Sequence, residues 1–129
     1  MKKFDNFCNA LENLREIYDY EEPYSNVILT GLVGLYEICF EQSWKAMKEA
    51  LYASGIGMAA TGSPKAIIKE AFSNGMIRDE QLWLHALSDR NNVAHAYNRE
   101  IAGDIVENAK EKYVDMFQEL RSSLAEWQE

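Results

Sequence analysis

"REIAGDIVENAKEKYVDMFQELRSSLAEW", residues 99–127, spaces its apolar side chains at helical rather than strand intervals. Wound at roughly 100° per residue, the segment gathers Ile101, Ala102, Ile105, Val106, Ala109, Tyr113, Met116, Phe117, Leu120, Leu124 and Trp127 on one side. A stripe of that length must be buried against other elements. The rest of the chain reads as further helices able to bury it.

Working outward, residues 2–19 place Phe4, Phe7, Cys8, Leu11, Leu14 and Tyr18 on one side, and "DYEEPYSN" breaks the pattern with Pro23 as a stop. A second helix is predicted over 25–53. Its apolar face holds Ile28, Leu32, Leu35, Tyr36, Cys39, Phe40, Met47 and Leu51; Glu37, Glu41, Lys45 and Glu49 are assigned to its outer face. "SGIGMAATGSP", 54–64, reads as a mobile connector or partner-facing loop. Its Gly55, Gly57 and Gly62 lack the lysine and hydroxyl ending of a phosphate loop. Ser63 followed by Pro64 is an N-cap signal for a short helix that stops at Asn74-Gly75. A fourth long helix starts near Asp79. The expected fold is all-α, an antiparallel up-and-down bundle of four long helices plus one short helix, in a single domain over 1–129.

The chain has 129 residues, 47% of them hydrophobic, enough for one core. Its net charge of −8 opposes general nucleic-acid binding, so any phosphate site must rest on a local cation. Cys8 and Cys39 fall at apolar helix positions and read as small hydrophobes, without a ligand set for a metal. No cofactor is implied. "MKKFDNFCNALENLREIY" lacks the apolar run of a signal peptide, and apolar stretches are too short to span a bilayer, so a cytoplasmic protein is expected.

The fourth helix carries "LSDRNNVAHAYN", 87–98. If residues 82–97 are continuous helix, Leu82, Ala86, Leu87, Val93, Ala94 and Tyr97 share an apolar face. Arg90 falls near its middle, with Asn91 and His95 on its flank. An arginine so placed reads as a core-edge ion pair; a lone histidine reads as hydrogen-bonded structure, and a tyrosine as a core lid. Asn91-Asn92 disturbs that reading, because paired asparagines are poor helix formers. The chemical reading is phosphate work, with a guanidinium fork for the anion and an imidazole to exchange a proton. His85 lies ten residues before His95, so cleavage chemistry needing two such groups would require two copies of the chain.

Residues 90–97, R-N-N-V-A-H-A-Y, resemble the R-x4-H-x-Y motif of HEPN-domain proteins. "FEQSWKAMKEAL" (40–51), "GSPKAIIKEAF" (62–72) and "GMIRDEQLWLHALSDRNNVAHAYN" (75–98) resemble one branch of them, the nucleotidyltransferase substrate-binding protein family. The resemblance implies a dimeric helical bundle that works beside a separately encoded minimal nucleotidyltransferase, as its non-catalytic partner or target, with RNA or a nucleotide as the bound molecule. It implies that Arg90, Asn91 and His95 bind a nucleotide or phosphate. In the related ribonuclease toxins of toxin–antitoxin pairs, Arg90 and His95 would be the metal-independent catalytic pair, and Tyr97 the hydroxyl that the partner silences by adenylylation. Arg78 and Arg99, flanking the same helix, are candidates for a local basic cleft, with surface charge the alternative.

Overall fold

The computed structural model describes residues 1–56 and 62–127. The helices are α1 (Lys2–Leu14), α2 (Asn26–Ala53), α3 (Pro64–Ser73), α4 (Glu80–Asn91), α5 (Arg99–Asn108) and α6 (Val114–Trp127). A π turn, Ala109–Tyr113, joins α5 to α6 without a break, so the two form one long element. The described residues hold helices and no strand, in the all-α class expected.

Most boundaries follow the capping chemistry. Ser25 Oγ accepts from Ile28 N at 3.2 Å and Ser63 Oγ from Ala66 N at 3.3 Å, opening α2 and α3. Asp79 Oδ1 accepts from Leu82 N at 3.0 Å and opens α4. Gly75, with φ +76°, takes the left-handed turn that ends α3. The first helix departs from expectation: it tightens to a 3-10 turn over Arg15–Asp19. That rotates Tyr18 off the apolar side to 47% exposure, where its hydroxyl donates to the Lys110 carbonyl at 2.8 Å. Part of the expected connector, residues 57–61, lies outside the described residues.

Four aromatic rings set the middle of the bundle. Phe117 of α6 meets Phe7 of α1 at 6.1 Å and Trp83 of α4 at 5.6 Å, both edge-on, and Tyr36 of α2 at 6.3 Å. One side chain thus packs against rings from α1, α2 and α4. The contacts give the chain direction. Lys3 near the start of α1 meets Glu49 near the end of α2. Along α4 and the last element, Met76 meets Ser123, Trp83 meets Phe117 and Asp89 meets Asn108, an antiparallel order. These contacts fit the up-and-down arrangement.

Truncating Phe117 to alanine leaves a cavity on three helices at once and is expected to cost about 3–5 kcal/mol in urea unfolding. Lys69→Ala, at an exposed position of α3, is expected to stay within about 0.5 kcal/mol.

Candidate functional site

The helix carrying the motif stops early. Regular α-helix ends at Asn91, and Asn92–His95 continue as a 3-10 turn. Asparagine side chains compete with the helical ladder for backbone partners, and Asn98 then caps α5, its Oδ1 accepting from Glu100 N at 2.9 Å and Ile101 N at 3.3 Å. The period falls from 3.6 to three residues per turn. Val93 and Ala96, three apart, therefore pack on the core, while Ala94 and Tyr97 turn outward. This corrects the continuous apolar face expected over 82–97: Tyr97 is 85% exposed and lids nothing.

Arg90, in the last turn of α4, is half-buried and forms an ion pair through Nη2 with Glu41 of α2. Its Nη1 donates to Asn91 Oδ1 at 3.3 Å. Glu41 is held in turn by Trp44, whose Nε1 donates to Glu41 Oε2 at 3.2 Å. Water does not reach Glu41 Oε1, which has no hydrogen-bond partner of regular geometry; its charge is met by the guanidinium lying against it. Glu37, Glu41, Lys45 and Glu49 are all half-buried, not the solvent face assigned to them from spacing.

His95 is exposed and lies edge-on to the Tyr97 ring, centroids 6.3 Å apart. The residues of the motif thus fall into two pairs, Arg90 with Asn91 and His95 with Tyr97. No hydrogen bond or ion pair among the described residues joins one pair to the other. The 3-10 turn that begins after Asn91 breaks the register on which Asn91 and His95 were placed together on the flank of one continuous helix. The supposed basic cleft also disperses. Arg99 donates to the Tyr24 carbonyl at 2.6 Å and to Asn26 Oδ1, stapling the loop before α2. Arg78 lines a crevice of about 260 Å³ with Asp79, Trp83, Met116 and Glu119, at the opposite end of α4.

A second polar cluster escaped the sequence. Asp89, 9% exposed, accepts from Tyr113 Oη at 2.6 Å and from Asn108 Nδ2 at 3.0 Å. Tyr113 Oη also meets His85 Nδ1 at 3.1 Å. The phenol has one proton and gives it to the carboxylate, so the His85 Nδ1 must carry the hydrogen of that second bond. Tyr36 stacks on Tyr113 at 5.3 Å and donates to the Ala86 carbonyl. Burial, then the Asp89 hydrogen bond, pushes the Tyr113 hydroxyl far above the ordinary phenol range. Burial also raises Tyr36 and the Cys39 thiol. The π turn is what carries Tyr113 into this position. Spacing of His85 and Asp89 at i,i+4 was the available signal; the partner on the π turn had none.

Among the described residues no group of three or more His, Cys, Asp or Glu side chains is placed to hold a metal, and no helix is long and apolar enough to cross a membrane. The family model described as "Nucleotidyltransferase substrate binding protein like" matches residues 2–126. The chain belongs to that family. A crystal structure from Thermus thermophilus is similar at 28% identity and TM-score 0.81, covering 92% of this chain and 98% of that one. A Haemophilus influenzae structure, described as revealing the fold of a substrate-binding domain of a nucleotidyltransferase, shares the fold at 21% identity and TM-score 0.80. It covers 95% of this chain and 98% of its own. Comparison with curated proteins finds no match.

The polar cluster and the buried phenols can each be tested. Tyr113→Phe strips a donor from a buried carboxylate and is expected to cost about 1–3 kcal/mol in denaturant unfolding. The raised phenols stay protonated in the folded chain but ionise in the unfolded one near their ordinary value. Their contribution is complete below pH about 10 and falls as the pH rises past it. Tyr113→Phe should flatten that alkaline decline, measured by urea midpoints across the alkaline range.

Proposed function

We propose that this chain is the non-catalytic partner and target of a separately encoded minimal nucleotidyltransferase. In this reading it presents Tyr97 to the transferase, with Arg90 as the local cation for a nucleotide phosphate. The observation that carries the reading is the exposure of Tyr97, 85% open to solvent against the ring of His95. A hydroxyl acceptor must reach the active site of another protein, and a core tyrosine cannot. In this reading the His95 imidazole, its ring edge-on to that of Tyr97, takes the phenol proton as the group is transferred.

Two copies of the chain would meet through α2. Val27 and Ile38 are 82% and 56% exposed. Helical spacing sets Gly31 and Gly34 between them on one face, where an added Cβ would meet nothing. Glu41 continues that face, so the Arg90 site would lie at the edge of the dimer.

The metal-independent ribonuclease reading, with Arg90 and His95 as the catalytic pair on RNA, needs those side chains free and converging. Here Arg90 is held by Glu41, the net charge is −8, Arg99 is bonded to the loop before α2, and Arg78 lies at the opposite end of α4. The binding reading is therefore preferred.

The test is transfer of AMP, with pyrophosphate leaving, from ATP radiolabelled at the α-phosphate, in the presence of the chain's own nucleotidyltransferase and magnesium. Label is expected on the wild type and absent from Tyr97→Phe; equal labelling of both would sink the assignment. In parallel, a mixed RNA pool in EDTA should survive the purified chain. Cleavage lost in both folded Arg90→Ala and His95→Ala would establish the ribonuclease instead. Ile38→Glu is expected to shift the light-scattering mass from two copies to one.

A further inference from the structure

We propose that Glu41 is the specificity-determining residue of the Arg90 site, selecting ligands that end in a phosphate dianion or a polyphosphate over phosphodiesters and carboxylates. This deepens the reading of Arg90 as a nucleotide-phosphate cation and rests on it.

The guanidinium already has a carboxylate against it, and that carboxylate is tied to its own helix by Trp44 Nε1 at 3.2 Å. An anion from solution must therefore exchange with Glu41, not simply add to a free arginine. Exchange with a second carboxylate, or with the single charge of an internal phosphodiester, replaces one negative charge by another. It also replaces a tethered partner, present at an effective concentration in the millimolar range or above, by a free one. Such ligands gain nothing. A terminal phosphate brings close to two charges and three acceptor oxygens, and a polyphosphate more. Only these displace the resident carboxylate.

The geometry leaves room for that exchange. The side chains of Arg90 and Glu41 are 28% and 24% exposed, so the pair is open on one side while Glu41 Oε1 itself stays dry. Nη1 is turned to Asn91 Oδ1 at 3.3 Å, a long bond and easily yielded. The fork can thus meet an incoming phosphate from the solvent side, with Glu41 the group that must retreat. Because an RNA backbone offers only monoanionic diesters, the same carboxylate turns the site from RNA towards nucleotide tails.

The experiment is calorimetric or NMR titration of the full chain with two probes, inorganic pyrophosphate and the dinucleoside monophosphate ApA. It compares wild type, Glu41→Gln, Trp44→Phe and Arg90→Ala, each checked for folding by circular dichroism. Wild type is expected to bind pyrophosphate about tenfold or more tighter than ApA, with the binding abolished in Arg90→Ala. Glu41→Gln keeps the side-chain shape and the Trp44 bond. It should tighten both probes, ApA by the larger factor, so that the preference narrows. Trp44→Phe, which loosens Glu41 without changing charge, should move in the same direction by less, and it serves if Glu41→Gln fails to fold.

Pyrophosphate binding that depends on Arg90 but is unchanged by Glu41→Gln and Trp44→Phe would overturn the proposal and leave the phosphate reading standing. Equal affinity of wild type for the two probes would also overturn it. No Arg90-dependent binding in any variant would overturn both.

Discussion

The arrangement turns on a carboxylate inside an aromatic core. Asp89 is nearly closed off from water, and a charged group is costly there unless its acceptor sites are filled. Tyr113 and Asn108 both donate to its Oδ2, and both stand on the last long element. The requirement therefore fixes α4 against α5–α6 in both rotation and height. A regular helix would place Tyr113 by the same 3.6-residue period as its neighbours. The π turn over Ala109–Tyr113 widens the element there and brings the phenol to the carboxylate.

Fixing Asp89 fixes Arg90. The two are adjacent on α4 and point to different neighbours, Asp89 to the π turn and Arg90 to Glu41 on α2. α4 is thus gripped on two sides by opposite charges, each met by a group on another helix. Past Asn91 that grip ends, and the chain changes to a 3-10 turn whose three-residue period sends Tyr97 outward. The stretch Arg90–Tyr97 therefore spans a boundary. Its arginine belongs to the packed bundle and its histidine and tyrosine to the surface. This division matches the proposed role, in which the cation is held within the bundle and the hydroxyl is presented to the transferase.

How much of this the sequence carried depends on the kind of signal. The helices of 26–53, 64–73 and 99–127 were legible from their apolar period, and Ser63-Pro64 opens and Gly75 closes the short one as their residue types imply. The motif was legible as a pattern of residue types, and Arg90 as a core-edge ion pair. Its geometry was not. The fourth helix was wound at one period throughout, although Asn91-Asn92 already marked where the ladder would loosen. Glu41 was given to solvent because its neighbours Glu37, Lys45 and Glu49 form a charged ladder, and a charged ladder usually faces water. Period alone does not reveal that a second helix crosses that ladder with an arginine. Tyr113 read correctly as core, but its hydroxyl's partner was hidden by the π turn, which leaves no mark on the spacing.

The structural and the functional readings of Arg90 are therefore not rivals. A half-buried arginine left without a carboxylate would carry an uncompensated charge into the bundle. Glu41 supplies that compensation and so contributes to the fold. The same bond means that the guanidinium is never idle, and any anion it accepts is chosen by comparison with a carboxylate. A structural ion pair at the edge of a core becomes a filter as soon as one side of it opens to solvent. Here the open fractions, 28% and 24%, show that both partners keep that edge. On a chain of net charge −8, which repels extended polyanions over its whole surface, the filter and the field act together. Both disfavour a long nucleic-acid backbone, and neither prevents a compact, highly charged phosphate tail delivered by a bound partner from reaching Arg90.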